Sequence, residues 1–428
     1  PLSRGAGGGR DPRPALLSRG MKRSVHLRLY GEITHPSPRE DLAWDLYQSW
    51  ALARLRDVSL SSVPPRFLPH GMAASRFEHS VGVGYLARRL CDLRPQLASR
   101  RKLLVSAALL HDIGSPPFSH ISEIFMHDLT GQTHEERTAE LLRPGGELAG
   151  ILEEHGVPSA EVVELITGRH PELGPLIAGS IDLDNIDNSQ HLLVSLGHAE
   201  KALYDPLRLI RAYRLRRGRL CLDTEYLPEI LAWQQARREL YDVLHSEPNL
   251  SSAAMLYRAL ESSYAAGKLP PAFFLLEEAE ALHHLRCEGT STARKLTGRL
   301  LRWQQYPLIH QRLSAREDPR LVALYDDWRA RRDFTDGLAE RLGIPPDEIA
   351  VYVGRDRATK SIDLPFTGQG AGAVQELLRG AKGKQRLAVF AHKRHGRLRG
   401  TKRLEEAVAE AIAELPEPQG EREAHAFF

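Results

Sequence analysis

The sequence predicts a mainly α-helical protein with a smaller α+β unit at its C-terminal end. From residue 41 to about residue 313, apolar residues recur at three- and four-residue spacing among many Leu, Ala, Arg and Glu residues, a pattern typical of amphipathic helices. After about residue 315, two β-like runs, 348–355 and 386–394, alternate with helix-like segments and Gly-rich breaks. We therefore expect a helical domain at residues 21–315 and an α+β appendage at residues 316–428.

Length and composition indicate an ordinary globular protein. The 428 residues correspond to two or three domains, or to one large domain with an appendage. The three cysteines, Cys91, Cys221 and Cys287, are too few and too scattered for a disulfide framework, which excludes a secreted disulfide-rich scaffold. The longest strongly apolar stretch, 103–110, is far shorter than the roughly 20 residues that cross a bilayer. We expect no membrane span and a cytoplasmic location.

Three shorter segments depart from the helical pattern. Residues 1–20 are rich in Gly, Pro and Arg and lack the apolar centre of a signal peptide, so we expect a disordered or artefactual extension. Residues 24–33 alternate apolar and polar side chains and predict an edge strand or a hairpin. The basic segment 379–403 carries ten Lys or Arg and no Asp or Glu, which leaves the rest of the chain near −7. Its single aromatic residue favours a solvated face or subunit contact over nucleic-acid binding.

Metal-ligand residue types stand in three segments, each at the end of an apolar stripe. His79 lies in 75–90, His111 and Asp112 lie in 103–120, and Asp184 lies in 176–190. Because the stripes should face one core, their polar ends should converge, and burying these groups without a partner would be costly. A divalent metal would compensate all four, and mixed N and O ligands suit Mn, Fe, Co, Ni or Zn without selecting one. Such a metal activates water and polarises a phosphoryl oxygen.

The order His, then His-Asp, then a distant Asp resembles the HD-domain metal-dependent phosphohydrolase superfamily. More specifically, RFEHSVGVGYLA (76–87) and HDIGSPPFSH (111–120) are similar to the deoxynucleoside triphosphate triphosphohydrolase branch, and the similarity extends from about residue 27 to about residue 260. The resemblance implies an HD-domain helical core and one divalent metal ion, with Mg added to the metals above. The metal ligands that it implies are His79, His111, Asp112 and Asp184.

The resemblance also implies roles around the metal. Arg76 is expected to contact a substrate phosphate, with a salt bridge as the alternative. His120 is expected to protonate the leaving oxygen, with Glu123 and His134 as its neighbours, because an imidazole that titrates near neutral pH suits that proton transfer. An indirect hydrogen-bonding role for His120 remains open, as does a simple helix start for His134 behind an N-cap at Thr133.

The chain departs from the branch at several substrate-binding positions. Ser115 stands where the branch usually has the second histidine of its HDxGHxPF motif. Asn185 and Asn188 stand where it often has a phosphate-binding Lys and a sugar-packing Tyr, and Glu247 stands at the position of a later Arg. Loss of two cations should weaken triphosphate binding, and a carboxylate at residue 247 should repel the anion.

The sequence thus predicts metal-dependent hydrolysis of a nucleotide-like small molecule, with (d)NTP conversion to nucleoside and triphosphate implied by the resemblance. Hydrolysis of a monophosphate, a cyclic nucleotide or a modified nucleotide is an alternative. A nucleotide- or nucleic-acid-binding protein with a structural HD core is another, with binding through 379–403. Assembly into a homo-oligomer is expected from the resemblance alone.

Overall fold

The computed structural model describes residues 23–35, 41–69, 74–195, 197, 203–355, 359–379 and 383–416. The predicted extension at residues 1–20 and residues 380–382 of the basic segment lie outside these ranges. Within them, the predicted class is confirmed, since helices dominate and the strands form three small sheets.

The first part of the chain is a hairpin followed by helices. Its elements are β1 (Arg23–Leu27), β2 (Gly31–His35), α1 (Leu42–Tyr47), α2 (Trp50–Arg54), α3 (Arg76–Leu93), α4 (Arg101–Leu110), α5 (His120–Thr130), α6 (His134–Leu141), α7 (Glu147–Glu154), α8 (Ser159–Ile166) and α9 (Leu183–Ser195). Strands β1 and β2 pair antiparallel, in line with the hairpin alternative for residues 24–33.

The second part adds the remaining strands to further helices. Its elements are α10 (Pro206–Leu209), β3 (Tyr213–Arg216), β4 (Arg219–Asp223), α11 (Leu227–Leu244), α12 (Glu247–Ala265), α13 (Glu278–Cys287), α14 (Ser291–Leu300), β5 (Leu308–Ser314), α15 (Pro319–Asp326), α16 (Trp328–Leu342), β6 (Ile349–Arg355), β7 (Phe366–Thr367), α17 (Ala371–Leu377), β8 (Gln385–Ala391) and α18 (Lys402–Ala413).

Helix α3 is the central helix of the helical domain and packs against α4 and α9. It begins with a capping box, in which Ser75 Oγ accepts from the Glu78 N–H at 3.2 Å and Glu78 Oε2 accepts from the Ser75 N–H at 3.4 Å. Helix α4 packs closely on α3 at Gly84. A Cβ at this position would lie only 2.5 Å from Leu109 Cδ2, so the contact requires glycine. The apolar stripes predicted from the sequence are buried at this junction.

The sheet of the C-terminal unit has the strand order β5-β8-β6, and both pairings are antiparallel. Its two faces follow the alternation of strand residues. Ala350 and Tyr352 of β6 belong to the core shared with α12 and α14, whereas Val351 and Val353 belong to the core shared with α16 and α18. Strand β5 begins at Leu308, so this sheet takes one strand from before the boundary predicted at residue 315.

Residues 359–379, which we call the return segment, leave the C-terminal unit and pack on the helical domain. Strand β7 pairs parallel with β4, with Phe366 opposite Leu222. Ile362, Leu364, Val374 and Leu378 are buried in the same core as α3, α4 and α9. The two units are therefore joined by burial of apolar surface as well as by chain connectivity.

Where it is described, the basic segment includes strand β8 and the start of α18, and most of its Lys and Arg side chains are exposed. Strand β8 is the central strand of its sheet, and Arg394 Nε lies 2.6 Å from a carboxylate oxygen of Glu348.

Among the described helices, none combines the length and apolarity needed to cross a membrane.

Replacing Ile362 by Ala should destabilise the helical domain, because this side chain is 1% exposed inside its core. We expect a loss of about 2–5 kcal/mol in the free energy of unfolding, measured by urea titration. The control is Leu377→Ala, since Leu377 is 63% exposed on α17, and it should change stability by less than about 0.5 kcal/mol. Equal effects of the two substitutions would contradict burial of the return segment.

Candidate functional site

Three of the four residues predicted as metal ligands, His79, His111 and Asp184, have ligand atoms within 4.8 Å of one another, and Asp112 lies beside them. His79 lies on α3, His111 and Asp112 follow the end of α4, and Asp184 lies in the first turn of α9. Asp184 Oδ1 lies 3.0 Å from His79 Nε2 and 4.0 Å from His111 Nε2. Asp112 Oδ2 lies 3.9 Å and 3.6 Å from the same two nitrogens. The structure thus brings together four side chains that are up to 105 positions apart in the sequence.

The two imidazoles are held with their Nε2 atoms towards the centre of this cluster. His79 Nδ1 bonds to Asp187 Oδ1 at 2.7 Å, and His111 Nδ1 donates to the Ala108 carbonyl at 2.8 Å. Since both partners are acceptors, Nδ1 carries a proton in each ring, and Nε2 is the nitrogen left to bind a metal. Both Nε2 atoms are buried, and His79 Nε2 faces the Asp184 carboxylate at 3.0 Å. Two such nitrogens beside two carboxylates fit a divalent cation.

The electrostatics of the cluster also favour a positive charge. Although burial lowers the pKa of His79, the adjacent Asp184 and Asp187 carboxylates outweigh burial and raise it to about 10. For the Asp112 carboxyl group burial acts in the opposite direction and raises the pKa. The charge of Arg76 and of the nearby imidazoles outweighs burial and holds this pKa well below its usual value. The carboxylates are therefore stabilised in their ionised form, which is the form that binds a metal.

Arg76 is buried against the same cluster. Its Nη1 forms a short ion pair with Asp112 Oδ2, and its Nε donates to Ser119 Oγ at 3.0 Å. Ser115, which replaces the second histidine of the branch, donates from Oγ to Asp112 Oδ1 at 3.2 Å. Arg76 thus forms the salt bridge that was one alternative for it. It also lines the adjoining cleft, so a contact with a substrate phosphate, the other alternative, remains a prediction.

His120, Glu123 and His134 form a second cluster beside the first. His120 Nδ1 lies 3.0 Å from Glu123 Oε2, and His134 Nδ1 lies 2.5 Å from Glu123 Oε1. The Glu123 carboxylate is buried, whereas the His120 side chain is 49% exposed. Although burial lowers the pKa of His134, the charge of Glu123 raises it to about 9. Glu123 therefore orients two imidazoles, one of which faces solvent.

The loop between His111 and His120 is held by close packing and by a buried cation. A Cβ on Gly114 would lie 2.2 Å from the His134 carbonyl oxygen, so only glycine lets α6 approach the His-Asp pair. Arg54 Nη2 donates to the carbonyls of Ile113 and Ser115 at 3.0 and 2.6 Å.

The last residues of this loop, Phe118 and Ser119, adopt φ values of 64° and 51°. Non-glycine residues rarely adopt positive φ, and such strain clusters at functional sites. Helix α5 begins immediately afterwards, at His120.

Sequence reasoning missed the role of Asp187. This fully buried carboxylate accepts from His79 Nδ1, from His191 Nδ1 at 3.1 Å and from the Tyr30 hydroxyl at 2.7 Å. A Cβ on Gly82 would lie 2.3 Å from its Oδ2. The available signal was its position three residues after Asp184, which places both on one helical face.

The turn before α9 orients Asp184. Asp182 accepts from the Gly179 N–H at 2.8 Å and from the Asn185 N–H at 2.7 Å, and the second bond caps the start of α9. Burial and the charge of Asp184 raise the pKa of Asp182 to about 6. Its oxygens are engaged by the turn, so Asp182 supports the site and Asp184 faces it.

Both clusters open into a cleft of about 860 Å³. Its lining includes Arg76, His111, Asp112, His120, His134 and Asp184. Asn185 and Asn188 also line it, at the positions where the branch has Lys and Tyr. Glu247 is not among the lining residues, and its carboxylate accepts from the Leu308 N–H at 2.9 Å. The Glu247 carboxylate thus binds the backbone of β5, and the expected repulsion of substrate by its charge stays a prediction.

Comparisons with known proteins agree with this geometry. Residues 76–193 match the family model described as HD domain. An uncharacterized protein of Bacillus subtilis, YwfO, is 31% identical over 232 residues, which cover 51% of this chain and 51% of that protein. A Dictyostelium discoideum deoxynucleoside triphosphate triphosphohydrolase SAMHD1 homolog is 24% identical over 54% of this chain and 47% of its own length. The chain thus spans about half the length of these curated relatives.

A solved structure shows a similar fold over most of the chain. It is the crystal structure of a hypothetical protein from Aquifex aeolicus, which covers 91% of this chain and 100% of its own with a TM-score of 0.68 and 20% identity. Because the match extends well beyond residues 76–193, it includes helices and strands on both sides of the matched domain.

Replacing Asp187 by Asn should weaken metal binding by about 10- to 100-fold, because the group that fixes the His79 ring and its tautomer loses its charge. Affinity is measured by competition with a chelating dye. Tyr30→Phe removes one bond to the same carboxylate and should have a smaller effect in the same direction. The control is Asp363→Asn at an exposed position. Unchanged affinity in a folded Asp187→Asn protein would contradict this role.

Replacing His134 by Gln should give a pH-dependent loss of stability. The pKa of His134 is raised from 6.5 to about 9, so its charged pairing with Glu123 contributes fully below pH 6.5 and is lost as pH rises through about 9. The difference in unfolding free energy between the two metal-free proteins should therefore shrink from pH 6 to pH 9.5. A difference that does not change with pH would show that the ion pair is unimportant.

Proposed function

Because residues 76–193 are an HD domain, we propose that the protein is a metal-dependent phosphohydrolase that acts on a nucleotide, with a (d)NTP going to nucleoside and triphosphate. The observation that carries the proposal is the convergence of two imidazoles with fixed tautomers and two carboxylates, beside a Glu-oriented histidine, at one cleft. The partial similarity to a triphosphohydrolase supports the choice of substrate class.

His79, His111, Asp112 and Asp184 would hold one divalent ion. Such an ion supplies Lewis-acid polarisation of a phosphoryl oxygen and a bound water of lowered pKa. The protein holds the ligands in place before metal arrives: Asp187 and the Ala108 carbonyl fix the two rings, and Arg76 fixes Asp112. These bonds reduce the reorganisation that binding requires.

Arg76 and His120 would act on the substrate. Arg76 lines the cleft beside Asp112, where its guanidinium can donate to a phosphoryl oxygen next to the metal. His120 also lines the cleft, and Glu123 accepts from its Nδ1 and leaves Nε2 available. A proton carried on Nε2 would pass to the oxygen that leaves phosphorus. Glu123 and His134 position that imidazole.

Metal removal and loss of one ligand test the reaction. We expect wild-type protein loaded with Mn²⁺ or Co²⁺ to convert a (d)NTP to nucleoside and intact triphosphate, as resolved by anion-exchange chromatography. Chelation of the metal should abolish turnover, as should His111→Ala, whereas His283→Ala at an exposed position should leave it unchanged. Inorganic phosphate released from a monophosphate would change the substrate class, and no turnover with nucleotides of any class would contradict the proposed function.

Replacing His120 by Ala should lower kcat by about 10²- to 10⁴-fold, the usual contribution of a positioned acid or base. Metal affinity at His79, His111 and Asp184 should stay within about twofold of wild type, since His120 belongs to the separate group that it forms with Glu123 and His134. A leaving group that needs no proton should recover most of the rate. If kcat is unchanged, the indirect hydrogen-bonding role is the correct one for His120.

A further inference from the structure

The return segment forms part of the wall of the cleft. Thr359, Lys360 and Ser361 line it together with residues of α9 and α11. The segment is tied to the helical domain by a bond from Gln234 Nε2 to the Lys360 carbonyl at 2.7 Å and by one from the Asp363 N–H to Ser180 Oγ at 2.8 Å. Lys360 is therefore carried into the cleft by backbone that is bonded to the helical domain at Lys360 and at Asp363.

The Lys360 ammonium is held at the turn that precedes α9. Its Nζ donates to the Gly179 carbonyl at 3.0 Å, and the N–H of the same Gly179 binds the Asp182 carboxylate. An ammonium has three donors, and this bond uses one of them. Lys360 is half-buried and lines the cleft, so a bound anion can accept from the rest.

Arg237 approaches the same turn from α11. Its Nη1 donates to Asn185 Oδ1 at 3.1 Å, and its guanidinium lies 5.4 Å and 5.5 Å from the ring centroids of Trp233 and Tyr241. The side chain is 7% exposed and lines the cleft. Asn185 stands where the resemblance implies a phosphate-binding lysine. Its side-chain oxygen accepts from Arg237, so α11 supplies a cation close to that position.

We propose that Lys360 and Arg237 form an anion subsite that binds the outer phosphates of a polyphosphate substrate, so that the C-terminal unit contributes directly to the substrate site. The assignment of these phosphates to a nucleotide rests on the proposed function. Asp182 and Asp184 lie beside the subsite and would repel a highly charged anion, which two cations offset. Ammonium and guanidinium groups are the usual donors to phosphate oxygens.

Binding of inorganic tripolyphosphate to the metal-free 428-residue chain tests the subsite without turnover. Calorimetry should show that Lys360→Gln weakens binding by about tenfold or more, as expected for one lost hydrogen bond between charged groups. Lys360→Arg should retain binding to within about threefold. The matched control is Lys393→Gln, an exposed lysine outside the cleft lining, which should behave as wild type. Arg237→Gln should also weaken binding, with thermal unfolding used to verify its fold.

Kinetics separate this subsite from the proposed function. If wild type hydrolyses a (d)NTP, Lys360→Gln should raise KM about tenfold with kcat within about twofold. An unchanged tripolyphosphate affinity in Lys360→Gln, or no tripolyphosphate binding by wild type, would overturn the subsite even if nucleotides are hydrolysed. Lys360-dependent tripolyphosphate binding without any nucleotide turnover would support the subsite and contradict the proposed function.

Discussion

Burial of carboxylates that must remain ionised is the constraint on which the site depends. Asp112 and Asp187 are almost completely buried, and an isolated charge in such a place would be strongly unfavourable. Each is instead compensated by specific partners, Arg76 for Asp112 and the His79 and His191 rings for Asp187. The same partners fix the directions of the groups that face the cleft. Neutralising the charges and orienting the ligands are thus achieved by one set of contacts.

The glycines of the motifs follow from this close packing. Gly82 leaves room for the Asp187 carboxylate, and Gly114 leaves room for the backbone of α6 beside the His-Asp pair. Neither glycine has a positive φ, so the requirement is for space and not for backbone conformation. Substituting either one would move an orienting group, with an effect on the site as well as on stability.

Local patterns in the sequence were sufficient to predict the helical class and the convergence of the residues proposed as metal ligands. His79, His111 and Asp184 each end an apolar stripe, so convergence of the stripes required convergence of these side chains. The β-like runs after residue 315 appear as β6 and β8. These predictions succeeded because amphipathic periodicity reports directly on which face of an element is buried.

The features that the sequence did not reveal are contacts between distant parts of the chain. The sequence does not show that the Asp187 carboxylate accepts from the Tyr30 hydroxyl. It also does not show that the Glu247 carboxylate accepts from the backbone of β5. Lys360 lies 181 positions from the Gly179 carbonyl that it binds. No short-range periodicity encodes such pairs. Strand β5 and the return segment likewise pair with strands far away in sequence.

The location of a bound metal tests the central claim most directly. Anomalous diffraction at the Mn edge, from crystals of the full chain grown with Mn²⁺, would place the ion without reference to activity. The account predicts one strong peak about 2.0–2.3 Å from His79 Nε2, His111 Nε2 and a carboxylate oxygen each of Asp112 and Asp184. A peak among His120, Glu123 and His134 instead, or no peak at either cluster, would contradict it.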